Sequence, residues 1–167
     1  MVLDEKKKER LIAELKTRFG TNTYFDILTL KIDWLFSIGV SVIAVSNSAL
    51  FDEENIRYGG KVVWDKTETG KRPTTLMLNM VDYQDTEFIA IILHECGHIK
   101  DKDDATIRFA TPESEISAWK HAIDDFKCVP TGRKDKEIFS AVLKRGLISY
   151  GVEESIIESL LTKITVI

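Results

Sequence analysis

Between Phe88 and Lys100 the sequence is apolar for more than two helical turns, and the run ends in His94-Glu95-Cys96-Gly97-His98. This stretch constrains the chain more than any other. A helix apolar on nearly every face has to be buried, yet two imidazoles need something polar to meet. On a helix, residues four apart stand about 40° from each other around the axis, so both rings reach one metal ion. Glu95 lies about 100° round from His94, beside such an ion and not on it. That is where the general base for a metal-activated water belongs. The H-E-x-x-H spacing is therefore a mechanical requirement of metal-assisted hydrolysis, with His94 and His98 as ligands and Glu95 as base.

A catalytic zinc site takes three protein ligands and keeps one position open. The chain has only 3 His, and none follows closely downstream of His98, which disfavours a three-His arrangement. The candidates are Glu113, Glu115 and His121, all in a helix predicted from Thr111 to about Lys127. Ala118, Trp119, Ala122 and Phe126 make the apolar stripe of that helix, and Glu115 extends it toward the N-terminus. A carboxylate on a buried face needs a partner, and an ion supplies one. Glu113, about 200° away from Glu115, is explained by the helix dipole at the helix mouth. His121 is about 240° from Glu115, so the two cannot face one ion. The stripe therefore favours Glu115. An oxyanion stabiliser is also expected; Tyr83, Arg108, His121 and Tyr150 are chemically able, and the sequence places none of them.

The remaining pattern predicts an α+β chain. Asp4–Phe19 reads as an amphipathic helix closed by Gly20, and Thr23–Ile38 as a second helix before Gly39. Val40–Val45, Lys61–Trp64 and Thr74–Met80 read as strands, with turns at Gly59-Gly60 and at Glu68–Lys71. Two more helices, Asp135–Lys144 and Val152–Lys163, are separated by Gly146 and Gly151. No repeat or composition shift marks a domain boundary. The expected organisation is one domain over 1–167, with an N-terminal helix (1–20), a core (23–129) and C-terminal helices (133–167). A small sheet of three or more strands would pack against the His94 helix. Thr74–Met80, short and polar, is expected to be an open edge that an extended chain can join.

Several function classes drop out. Net charge is −4, and Lys6-Lys7-Lys8 with Arg10 is interleaved with acids, so it reads as a solvated face and not a nucleic-acid contact. No window of 18 uncharged apolar residues suggests a membrane span. Two cysteines, at 96 and 128, make no disulfide framework, and no apolar h-region follows Met1; a cytoplasmic location is expected. Cys96 points away from the imidazoles and reads as a buried hydrophobe. Gly97 leaves backbone uncovered for close packing of a neighbouring element. Trp34, Trp64 and Trp119 read as core, and the acidic loop Asp101–Asp104 lacks the glycine and final Glu of a calcium loop.

With H-E-C-G-H at 94–98 and E-I-S-A-W at 115–119, the chain resembles the gluzincin metallopeptidases, and more narrowly the compact ImmA/IrrE-type branch. The likeness extends over about Thr23 to Leu161. A helix, a glycine turn and three short strands precede the H-E-x-x-H helix, Glu115, Ala118 and Ala122 match the third-ligand helix, and Tyr150–Ser155 is similar to the terminal segment. The chain departs from that pattern at Trp119, where a small polar residue is common, and at His121. The resemblance implies a zincin-like fold and a zinc-dependent endopeptidase acting on a protein or peptide substrate, often a helix-turn-helix repressor. The competing expectation is a non-catalytic zinc-containing regulator that works by binding a protein partner.

Overall fold

In the computed structural model, residues 2–21, 23–45, 59–67, 70–79, 84–101 and 111–165 are described. Among them are six helices and one three-stranded sheet, an α+β fold. The elements run α1 (Val2–Phe19), α2 (Thr23–Ser37), β1 (Ser41–Val45), β2 (Gly60–Thr67), β3 (Gly70–Asn79), α3 (Asp85–Lys100), α4 (Pro112–Phe126), α5 (Arg133–Ser149) and α6 (Glu154–Thr165). The chain forms two compact units, Met1–Asp85 and Thr86–Ile167.

In the first unit, Leu11, Leu15 and Phe19 of α1 and Leu28, Ile32 and Leu35 of α2 are buried, the helical spacing expected of amphipathic faces. Gly20 and Gly39 end these helices with φ of +66° and +79°, a backbone that side chains rarely adopt. The charge run behaves as a solvated face: Lys8 pairs with Glu5 at 2.8 Å and with Asp33 at 3.3 Å, and Arg10 with Glu14 at 3.2 Å.

The sheet corrects one expectation. Its order is β1-β3-β2, so the strand read as an open edge is central. From Thr75 to Asn79, β3 pairs in parallel with Ser41–Val45 on one side, and on the other antiparallel with β2. No free edge remains there for an added chain. Pro73 sits beyond the end of the β1 ladder and beside an irregularity at Val63/Trp64 of β2, where a missing N–H costs the sheet least.

In the second unit α3 is buried nearly all round, from Phe88 to Ile99. Thr111 caps α4: its hydroxyl accepts from Ser114 N at 3.2 Å while Ser114 Oγ accepts from Thr111 N at 3.0 Å, and Pro112 opens the first turn. α5 differs from expectation by running through Gly146 to Ser149. The glycine is not a break, because a Cβ there would lie 3.3 Å from the Trp119 indole. Gly151, with φ of +70°, makes the turn into α6. Only Trp119 of the three tryptophans is fully buried; Trp34 and Trp64 are half-buried. Among the described residues no helix is long and apolar enough to cross a membrane.

Candidate metal centre

One turn of α3 separates His94 from His98, so the two imidazoles leave the same face and meet edge-on, their centroids 4.6 Å apart. The cap at Thr111 makes Glu115 the fourth residue of α4, where its side chain lies on the buried stripe with Ala118, Trp119, Ala122 and Phe126. Glu115 is only 2% exposed. Its carboxylate meets both rings: His94 Nε2 is 2.9 Å from Oε2, and His98 Nε2 is 3.3 Å from Oε1. Glu95 stands to the side, with Oε1 3.6 Å from His94 Nδ1, too far for a hydrogen bond. It is buried but not sealed, and it does not join the cluster.

Close packing of two backbones makes this meeting possible. A Cβ at Gly97 would fall onto the Ala118 carbonyl oxygen and 2.8 Å from the Ala118 Cα, so only glycine lets α4 come this near. Contacts ascend both helices together from that point. His94 meets Glu115, Gly97 meets Ala118, Asp101 Oδ1 meets His121 Nε2 at 2.8 Å, and Lys100 Nζ meets Asp125 Oδ2 at 2.8 Å. The residue types at 97 and 118 thus place the side chains at 94, 98 and 115 within reach of one another.

Burial disfavours the charged form of both His94 and Glu115, and their hydrogen bond overrides it. Glu115, with Glu95 beside it, raises His94 from 6.5 to about 9. His94 and His98 in turn hold Glu115 well below the usual carboxylate range, at about 2. Both shifts favour an imidazolium–carboxylate pairing of His94 with Glu115.

One donor atom from each of His94, His98 and Glu115 lies within 4.8 Å of the other two. Around a tetrahedral ion with bonds of about 2.0–2.1 Å, neighbouring donors stand roughly 3.3 Å apart. The contacts at 2.9 and 3.3 Å, made to different oxygens of Glu115, lie at or below that edge, and the single-donor set spans up to 4.8 Å, so it fits one divalent ion after shifts of the order of an ångström. Glu115 is therefore the third member of the group. Compared with protein-family models, with curated proteins and with solved structures, the chain matches none.

Other residues singled out in the sequence lie elsewhere. Glu113 is exposed in the first turn of α4. His121 is bound to Asp101, a pairing that the reading of Asp101–Asp104 as solvated loop missed. Tyr150 ends α5, while Tyr83, Arg108 and 102–104 of the acidic loop fall outside the described residues. Cys96 is fully buried and Cys128 exposed. Sequence reasoning also missed what Trp119 does. It is core, at 3% exposure, but its indole stacks on the His94 imidazole with centroids 4.4 Å apart and planes inclined by 25°. Its position four residues after Glu115, on the same helix face, was the available signal.

Proposed function

We propose that this chain is a zinc-dependent endopeptidase, with His94, His98 and Glu115 as the zinc ligands and Glu95 as the general base. The observation that carries the reading is the donor set itself. Two imidazoles and one buried carboxylate converge within 4.8 Å, and a second carboxylate stands beside them without joining. Nitrogen and oxygen donors suit zinc, and three protein ligands leave a position for water or substrate. The resemblance of H-E-C-G-H and E-I-S-A-W to the gluzincins, and to the ImmA/IrrE-type branch, supports the same assignment. A bound zinc ion would supply Lewis-acid polarisation of a peptide carbonyl and acidify water at the site.

The protein groups do the rest. Glu95 accepts the proton of the attacking water at its carboxylate and returns it to the leaving amine. Glu115 and the imidazoles would hold the ion, and the buried α3–α4 contact at Gly97 and Ala118 keeps the three donors registered. The substrate is a protein or peptide, and a regulatory protein such as a repressor is the class that the resemblance favours.

The test pairs metal content with cleavage. Wild type, Glu95→Gln and Glu115→Ala are purified, their zinc measured by plasma mass spectrometry, and each is incubated with a proteome-derived peptide library. The expectation is about one zinc per chain in wild type and in Glu95→Gln, and a marked loss in Glu115→Ala. New termini should appear with wild type alone. Tight zinc in Glu115→Ala removes the ligand assignment. Equal zinc with no cleavage by wild type favours the alternative, a non-catalytic zinc-containing regulator.

A further inference from the structure

We propose that Trp119 is a positioning residue for the metal centre: its indole fixes the plane of the His94 imidazole, and Gly146 is the recess that admits the indole. The inference rests on the metal reading above. An imidazole turns about a broad terminal torsion, and a ligand nitrogen is useful only when the ring plane contains the ion. The stack at 4.4 Å closes one face of His94, and the edge of His98 at 4.6 Å and 76° limits the ring further. In this orientation Nε2 points at Glu115, 2.9 Å away.

The indole is bordered by α5 and Phe139. α5 approaches it at Gly146, where a methyl group would lie 3.3 Å from both Cζ2 and Nε1 of Trp119. Phe139 meets its edge at 5.9 Å and 88°, and is itself stacked on Phe126 at 4.1 Å. The column His94–Trp119–Phe139–Phe126 ties a ligand to the buried part of the second unit.

Two local rules are broken at this contact. Glycine inside a helix is less favourable than alanine. The Trp119 Nε1–H is buried and finds no hydrogen-bond partner among the described residues, which costs its desolvation. A phenylalanine at 119 and an alanine at 146 would avoid both costs. What they would not supply is a flat double ring that reaches from α5 to the imidazole. Local rules broken together are expected where a site is being supported.

Gly146→Ala and Trp119→Leu test the proposal, with Trp119→Phe as the conservative variant. Zinc affinity is measured by chelator competition, ligand geometry by the visible spectrum of the cobalt(II)-loaded protein, and stability of the metal-free protein by urea unfolding. Gly146→Ala and Trp119→Leu are expected to weaken zinc binding about 10–100-fold and to shift the cobalt bands, the scale of outer-shell changes. Trp119→Phe, whose single flat ring can face the imidazole without reaching α5, should recover only part of that loss. Metal-free Gly146→Ala should be at least as stable as wild type, so its lost affinity cannot be blamed on unfolding, and it decides the matter if Trp119→Leu fails to fold. Wild-type affinity and wild-type cobalt bands in Gly146→Ala overturn the positioning role alone. A wild type that binds neither ion removes the metal reading and this inference with it.

Discussion

His94 and Glu115 share one proton in the absence of metal, and that proton sets how the site responds to pH. The folded pKa of His94 is raised from 6.5 to about 9, so its stabilisation is complete below 6.5 and lost as pH rises through 9. Glu115 is lowered from 4.5 to about 2, so its stabilisation is present above 4.5 and lost as pH falls through 2. Both limbs describe the same buried interaction, with Glu95 and His98 as the other ionisable groups facing it, and it counts once. The metal-free protein is thus expected to draw most from this pair between pH 4.5 and 6.5. In urea titrations its stability should fall between pH 7 and 9, and Glu115→Gln should flatten that fall. A ligand must be unprotonated, so zinc has to displace the shared proton. Calorimetry at pH 7 in two buffers of different ionisation heat should show about one proton released per zinc, and release of none would refute the pairing. The grouping of His94, His98 and Glu115 was legible, because a four-residue spacing and a stripe ending in a carboxylate are local patterns. The Trp119 stack was not: at i+4 from Glu115, a tryptophan that closes the core and one that supports a ligand look alike.

Among the elements, α3 and α4 meet through a glycine, and the contact is steric before it is electrostatic. Gly97→Ala gains helix propensity of about 1 kcal/mol but drives a methyl group into the Ala118 backbone, which cannot give way as a flexible side chain would. Overpacking of this kind costs about 1–3 kcal/mol. The expected net result in urea unfolding is destabilisation, together with weaker zinc binding, because the contact lies between His94 and His98 on one helix and Glu115 on the other. An alanine at 97 that leaves both unchanged would show that the close approach is dispensable. The start of α4 is set separately by Thr111, and Thr111→Ala should cost about 1 kcal/mol in the same assay through loss of the Ser114 N–H partner. That cap was readable from Thr-Pro, and the close approach at Gly97 was anticipated from its missing side chain. Gly146 misled, since glycine near the end of an apolar run signals a helix stop as readily as a recess. The difference lies in what faces it, and Trp119 is 27 residues away in the chain.

For the molecule as a whole, element types followed from periodicity, while sheet order did not. Val40–Val45 and Thr74–Met80 both read as short strands; nothing local says that β1 lies parallel beside β3, because that pairing joins Ser41 to Thr75 across an intervening strand. The metal centre escapes this difficulty, since all its residues fall within 94–115 and within the unit Thr86–Ile167. Zinc binding should accordingly stabilise that unit by linkage. With free zinc at 100 times its dissociation constant the gain is about 2.7 kcal/mol, which corresponds to roughly a hundredfold slowing of amides that exchange only when the site opens. Hydrogen exchange read by mass spectrometry, in zinc and in chelator, should show this slowing in peptides covering α3 and α4. It should extend into α5 around Gly146, because Trp119 carries the His94 constraint there. Glu115→Ala should show none of it at the same zinc concentration. Unchanged exchange of the slowest α3 and α4 amides on zinc loading of wild type would mean that the cluster does not close on the ion, and would separate adventitious surface binding from a built site.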